Sequence, residues 1–304
     1  MTLSRRGFIA AGTAAVAAGA LTSHRGWAAA SLTLGDFQID TLSDGHLVLP
    51  LSFALGETPR ADAAPILSRH GLGDGPLEPP CNVTLVRDGT NTVLFDVGSG
   101  PDFMPSAGKL MDAFDILGIG PEDVTHVVFT HGHPDHIWGA LDDFDDPLFY
   151  EAEHMIGQTE FDYWMDDATV DTIDPGRVTF AVGAKRRLEA LQDAISTFAD
   201  GAEILPGIAA RATFGHTPGH MSFELAGGAM IVGDAIVNHH LAFERPDWRS
   251  GSDQDPDLGA QTRVRLLDQL ASDQMTLIGF HLPGGGIGRA EKATEGYRFI
   301  AEAL

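Results

Sequence analysis

The stretch Thr130-His-Gly-His-Pro-Asp-His-Ile-Trp-Gly139 places His131, His133, Asp135 and His136 within six positions, directly after the apolar run Val127-Val128-Phe129. A β-branched and aromatic run of this kind reads as a buried strand, so the polar cluster falls at a strand end. Alternate side chains of an extended segment share a face, which lets His131 and His133 grip one cation. Pro134 fits the first turn of a helix, where the chain changes direction and Asp135 and His136 can face a second cation. A single histidine is usually packing; four such groups in six residues point to a metal site.

Three further candidates stand at turns beside apolar strands. His220 closes Gly215-His-Thr-Pro-Gly-His220, Asp234 ends Met230-Ile-Val-Gly-Asp234, and His281 ends Leu277-Ile-Gly-Phe-His281. Strand ends suit this role because the sheet fixes them while the adjoining loops admit substrate. Five histidines and two aspartates suffice for two ions, with one carboxylate left to bridge. Cys81 is the only cysteine, which excludes an internal disulfide and a thiolate cluster. The donors are therefore nitrogen and oxygen, a set that suits zinc and also iron, manganese or cobalt. His216 is read as support for the His220 turn, and His46, His70, His126 and His154 as packed or solvated. His239 and His240, just beyond Asp234, stay open between pocket wall and surface.

Around these residues the chain alternates strands with helices and shows neither a linker nor a named repeat. Strands are expected at Leu32 to Thr41, Asn82 to Arg87, Thr92 to Val97, His126 to Thr130, Ile208 to Thr213, Ser222 to Leu225, Met230 to Gly233 and Met275 to Phe280. Asp88-Gly-Thr-Asn91 carries hairpin chemistry between the second and third of these. Leu188, Leu191, Ile195 and Phe198 predict one helix face, and Val264, Leu267 and Leu270 another. Glu57 to Pro80, rich in Pro, Gly and Ala, reads as a long loop or flap. The order suits an α/β fold of two sheets packed face to face with helices outside, a four-layer αββα sandwich. An ordinary three-layer α/β fold is not excluded by periodicity.

With these residues in hand, the chain resembles the metallo-β-lactamase superfamily of hydrolases over essentially all of residues 31–304. The resemblance rests on His131-x-His133-x-Asp135-His136 followed by His220, Asp234 and His281. It implies the αββα sandwich with one metal held by His131, His133 and His220. It implies a second held by Asp135, His136 and His281, with Asp234 bridging. Asp96, in the Asp96-x-Gly98-x-Gly100 turn, would orient a ligand histidine. GHTPGH (215–220), GDAI (233–236), FHLPGGGIG (280–288) and EGYRF (295–299) resemble the branch of methyl parathion hydrolase-like enzymes and quorum-quenching lactonases. A bridging Asp234 argues against antibiotic hydrolysis. Phe161, Tyr163 and Trp164 resemble a pocket-wall segment of the organophosphate-hydrolysing members, and Trp164 and Phe161 are the residues taken for the pocket.

The expected activity is metal-dependent hydrolysis of a lactone, ester or organophosphate triester by a hydroxide bridging two divalent ions, zinc ahead of iron, manganese or cobalt. Asp135 and Asp234 are the catalytic carboxylates, as ligands able to take a proton from the water. Tyr150, Tyr163 and Tyr297 are the only tyrosines that could assist a leaving group. The competing reading is a glyoxalase II-like thioester hydrolase; a nuclease and a non-catalytic metal-binding scaffold rank lower.

Charge and the N-terminus set the partners. Residues 1–30 carry the twin-arginine start Ser4-Arg-Arg-Gly-Phe-Ile9, an apolar or small run from Phe8 to Leu21, and the small residues Ala28 and Ala30. That run falls short of the roughly 20 residues a bilayer span needs and reads as a signal for twin-arginine export to the periplasm or beyond. The leader holds three arginines and no acid, so its removal takes the formal charge from −24 to −27. Such a surface repels phosphate backbones and anionic lipid and favours a small-molecule substrate; the resemblance, to a family whose members are often dimers, leaves a homodimer open. Exported protein should begin at Ser31 on N-terminal sequencing; secreted material beginning at Met1 contradicts the leader.

Overall fold

The computed structural model describes residues 28–302. The expected leader therefore lies outside the described residues, apart from Ala28–Ala30 at the start of the first strand. Seven strands form one sheet in chain order: β1 (Ala28–Leu34), β2 (Phe37–His46), β3 (Pro80–Arg87), β4 (Thr92–Phe95), β5 (His126–Phe129), β6 (Glu153–Gly157) and β7 (Ile195–Phe198). A second sheet runs β14 (Tyr297–Ala301), β13 (Ile287–Lys292), β12 (Thr276–Ile278), β11 (Ala229–Ile231), β10 (Met221–Leu225), β9 (Ile208–Ala212) and β8 (Glu203–Leu205). The helices are α1 (Leu51–Leu55), α2 (Arg60–Arg69), α3 (Leu110–Leu117), α4 (Pro134–Ile137), α5 (Gln158–Met165), α6 (Thr169–Thr172), α7 (Val178–Leu191), α8 (Leu241–Glu244) and α9 (Pro256–Ser272).

Strand periodicity of two residues builds the layers. Val93, Phe95 and Val128 point between the sheets and meet Phe223, Ile231 and Ile278. Their neighbours Leu94, Val127 and Phe129 point the other way, onto Phe114 of α3 and Ala184 and Leu188 of α7. In the second sheet Met230 and Leu277 face outward onto Leu266, Leu267 and Leu270 of α9. Three apolar cores separate four layers, the αββα sandwich.

Two parallel pairs position the site. β4 lies parallel to β5 and β11 parallel to β12, so within each sheet the chain leaves both strands of the pair at the same end. Asp96 follows β4, the histidine cluster follows β5, Asp234 follows β11 and His281 follows β12. Asn82 of β3 ties the sheets together there: its amide nitrogen donates to the carbonyls of Phe280 and Leu282 at 2.8 and 2.9 Å.

Several expected elements change. Leu32 to Thr41 is two strands, because Gly35 turns the chain at φ +58°. The face predicted through Leu188, Leu191, Ile195 and Phe198 breaks after Leu191, and Ile195–Phe198 is β7, parallel to β6. The Glu57 to Pro80 segment is not all loop. It holds α2 despite Pro65, because Ala63, Ile66 and Leu67 bury against Leu51, Leu55, Leu77 and Leu241. Tertiary burial offsets the lost helix hydrogen bond.

The inter-sheet core gives a direct test. Phe223 is fully buried, with ring centroids of Phe95 and Phe198 at 5.0 and 5.8 Å. Phe223→Ala should lower unfolding free energy by about 3–5 kcal/mol in urea titration. A loss below about 1 kcal/mol would contradict this packing.

Candidate metal centre

The chain turns at Pro134 as expected: His133 is extended (φ −71°, ψ 158°) and α4 starts at Pro134. Buried nitrogen and oxygen donors then gather into two groups whose atoms lie within 4.8 Å of one another: His131, His133 and His216, and Asp135, His136, Asp234 and His281. Asp234 touches both. Its Oδ2 lies 3.3 Å from His216 Nε2 and 3.4 Å from His281 Nε2, and its Oδ1 3.4 Å from His136 Nε2. Asp135 Oδ2 stands 3.2 Å from His281 Nε2 and 3.5 Å from His136 Nε2.

The far side of each imidazole is anchored. Asp96 accepts from Thr130 N and Thr130 Oγ1, both at 2.8 Å, and lies 2.7 Å from His136 Nδ1. With its proton given to Asp96, the Thr130 hydroxyl is an acceptor for His131 Nδ1 at 2.9 Å. The His281 Nδ1–H donates to the Pro80 carbonyl at 2.7 Å, and His216 Nδ1 pairs with Asp253 Oδ1 at 3.2 Å. The Gln254 amide lies between the Tyr163 hydroxyl and His133 Nε2, 2.8 and 3.2 Å away. That leaves His133 Nδ1 turned inward, 2.9 Å from His216 Nε2.

These anchors leave lone pairs aimed at one space. His131 Nε2, His136 Nε2, Asp135 Oδ2 and Asp234 Oδ1 are buried without a hydrogen-bond partner among the described residues. Buried polar atoms are normally satisfied, so this donor set fits cations. Burial pushes His131 and His133 well below the usual imidazole range and keeps them neutral. Burial acts the same way on His136, but the carboxylates of Asp135, Asp234 and Asp96 outweigh it and hold that ring well above. Burial would raise Asp135 and Asp234, yet His136 and His281 hold both far below the usual carboxylate range.

The two histidines of GHTPGH exchange the expected roles. His220 has both nitrogens engaged: Nδ1 is 2.8 Å from Thr213 Oγ1, and Nε2 accepts the Asp234 backbone N–H at 2.9 Å. It positions Asp234 and presents no lone pair to the site. His216 takes the place expected for His220. The local cause is Gly215, at φ +127° and packed on the backbone of Gly259, which seats His216 against the loop carrying Asp253.

Trp164 and Phe161 do not line the pocket. Trp164 is buried beneath Gly132, its indole N–H donating to Glu160 at 2.6 Å, and Phe161 packs on the same core. The cavity over the site, about 240 Å³, is walled instead by Leu47, Leu49, Phe53, Leu77, Phe103 and Phe180. His239 and His240 also line it. Burial with neighbouring rings lowers both, His240 to about 3, so they are neutral there. Among the described residues no tyrosine lines this cavity; Tyr163 reaches the site through Gln254.

A two-sheet sandwich with a histidine and aspartate cluster at the strand ends narrows the class, and the comparisons resolve it. Residues 77–281 match the Metallo-beta-lactamase superfamily, and the chain belongs to that superfamily. It is similar in structure to AidC, described as a dizinc quorum-quenching lactonase (TM-score 0.85, 25% identity, covering 90% of this chain and 97% of the other). It is similar also to AbOPH, described as a hydrolase in the beta lactamase superfamily (TM-score 0.83, 26% identity, 90% and 97%). Among curated relatives, Uncharacterized protein YobT of Bacillus subtilis is 28% identical over 159 residues, 52% of this chain and 62% of that protein. Metallo-beta-lactamase domain-containing protein 1 of Xenopus laevis is 32% identical over 126 residues, 41% and 48%. The matches thus span about three fifths of one curated relative and about half of the other.

One residue that spacing did not single out holds the two histidine loops together. Glu160 is fully buried and accepts from Gly132 N and Trp164 Nε1 on one oxygen, and from Thr217 Oγ1 and Gly219 N on the other, at 2.6–2.9 Å. Burial raises its carboxyl and the four donors oppose that rise. Glu160→Ala strands buried donors and should cost at least about 3 kcal/mol in chemical denaturation. A cost under about 1 kcal/mol would contradict the staple.

Proposed function

We propose that this chain is a metal-dependent hydrolase that holds two divalent ions, zinc in first place, and cleaves a lactone, ester or organophosphate triester. The observation that carries the reading is the set of unpartnered buried nitrogen and oxygen atoms converging beneath an apolar cavity. One ion would be held by His131 Nε2, His133 Nδ1 and His216 Nε2. The other would be held by Asp135, His136 and His281, with Asp234 shared. Ions bound there supply Lewis acidity and acidify water near neutral pH. The likeness to AidC supports a lactone within the substrate range.

The chain's own groups do the rest. Asp96 and Thr130 fix the His136 and His131 rings, and Asp253 fixes His216; buried Arg263 in turn holds Asp253 through Nη1 at 3.2 Å. The walls of Leu47, Leu49, Phe103 and Phe180 exclude water from the substrate. Asp135, set between His281 and His136, can hold the proton released as water attacks the substrate. Export by the twin-arginine leader and pairing with a second copy remain part of this proposal on sequence grounds.

Metal content and turnover test it together. Wild-type protein should carry two ions per chain by elemental analysis and hydrolyse at least one of an acyl-homoserine lactone, an aryl ester and an aryl phosphotriester. His216→Ala should lose metal and about 10³-fold or more in kcat/KM. His220→Ala should keep its metal and lose about 10- to 100-fold, as a residue that orients a ligand does. Metal loss in His220→Ala with retention in His216→Ala would overturn the ligand assignment, and a fully metallated protein inert on all three substrates would overturn the function.

A further inference from the structure

The polar corner of the cavity contains a cation with no ion-pair partner among the described residues. Arg177, just before α7, is 8% exposed and lines the cavity, and it is the one Lys or Arg among the described residues that do so. Its Nη2 donates to the Gly251 carbonyl at 2.7 Å, and its guanidinium carbon sits 5.6 Å from the centre of the Phe53 ring. Nη1 is buried with no hydrogen-bond partner, and among the described residues no carboxylate forms an ion pair with this side chain. Each other buried arginine among the described residues has one: Arg263 pairs with Asp253 and Arg187 with Asp102.

A buried guanidinium held by one neutral carbonyl is costly unless something completes it. The flanking residues of Gly251 supply what an oxyanion needs. Ser250 and Ser252 both line the cavity, with hydroxyls 2.8 Å apart. One hydroxyl donating to the other leaves one free O–H on the loop whose Gly251 carbonyl Arg177 holds. Asp174 and Asp253 act on the guanidinium by charge without pairing with it, Asp253 being held by Arg263. Glu78, the lining carboxylate outside the metal cluster, is exposed at the rim.

We infer that Arg177, with Ser250 and Ser252, forms a subsite for a carboxylate on the substrate, so that the enzyme prefers an ester or lactone bearing an anionic tail over a neutral one. This rests on the proposed hydrolase reading and narrows it. Guanidinium and carboxylate match in charge and geometry, and a desolvated pair of this kind gives strong discrimination against a substrate that leaves the guanidinium unpaired.

The test compares two chromogenic esters of similar length on metal-loaded protein, the p-nitrophenyl hemiester of glutaric acid and neutral p-nitrophenyl valerate. Wild type should favour the hemiester by about tenfold or more in kcat/KM. Arg177→Gln should raise KM for the hemiester about tenfold and leave valerate within about twofold, and Arg177→Lys should recover part of the loss. Equal losses on both esters would make Arg177 a structural clamp on the 250–252 loop and overturn the subsite; so would absence of a preference in wild type. Thermal melting with benzenesulfonate, a poor metal ligand, separates this from failure of the hydrolase reading. If neither ester is cleaved, sulfonate that stabilises wild type but not Arg177→Gln still supports the subsite. Sulfonate that stabilises neither overturns it.

Discussion

Two carboxylates, Asp135 and Asp234, lie buried among the imidazoles of His131, His133, His136, His216 and His281, and much of the structure serves to keep them there. Such a cluster is expensive to desolvate and collapses if any ring turns to bond its neighbour instead. The protein prevents this by occupying the outer nitrogen of each ring. Asp96, Thr130, Asp253, Gln254 and the Pro80 carbonyl take those positions. The inner atoms are left facing one space, a donor set that fits divalent cations.

The sandwich supplies the stiffness. Parallel pairing of β4 with β5 and of β11 with β12 puts four turns at the strand ends that form the site, and the inter-sheet core around Phe95 and Phe223 holds the two halves in register. Glu160 then ties the His131–His133 loop to the His216–His220 loop through four donors. The flap around α1 and α2, packed through Leu51, Leu55, Ile66 and Leu67, closes an apolar wall over the centre, and the Arg177 corner breaks that wall at one point.

How much of this could be read from the chain depends on the range of the interaction. His131, His133, Asp135 and His136 are legible because strand alternation and Pro134 fix their directions locally. The layers follow from alternation in β4, β5 and β12. His216 and His220 were exchanged because spacing shows two histidines in one turn and not which of them faces inward; that is decided by Gly215 resting on α9. Trp164 resembled a pocket residue, yet Gly132 lacks a side chain and the indole fills that space. Ile195 and Phe198 kept helical spacing while pairing as β7 with β6, a long-range preference that no local pattern carries. Glu160, Asp253 and Arg177 have no motif; their roles arise only from what folding brings against them.

Anomalous diffraction at the zinc edge, on crystals of zinc-loaded protein, tests this ligand arrangement. Two peaks about 3.5–4 Å apart are expected. One should be bonded to His131, His133 and His216, and the other to Asp135, His136 and His281, with Asp234 reaching both. A single peak, or a peak bonded to His220, would contradict it.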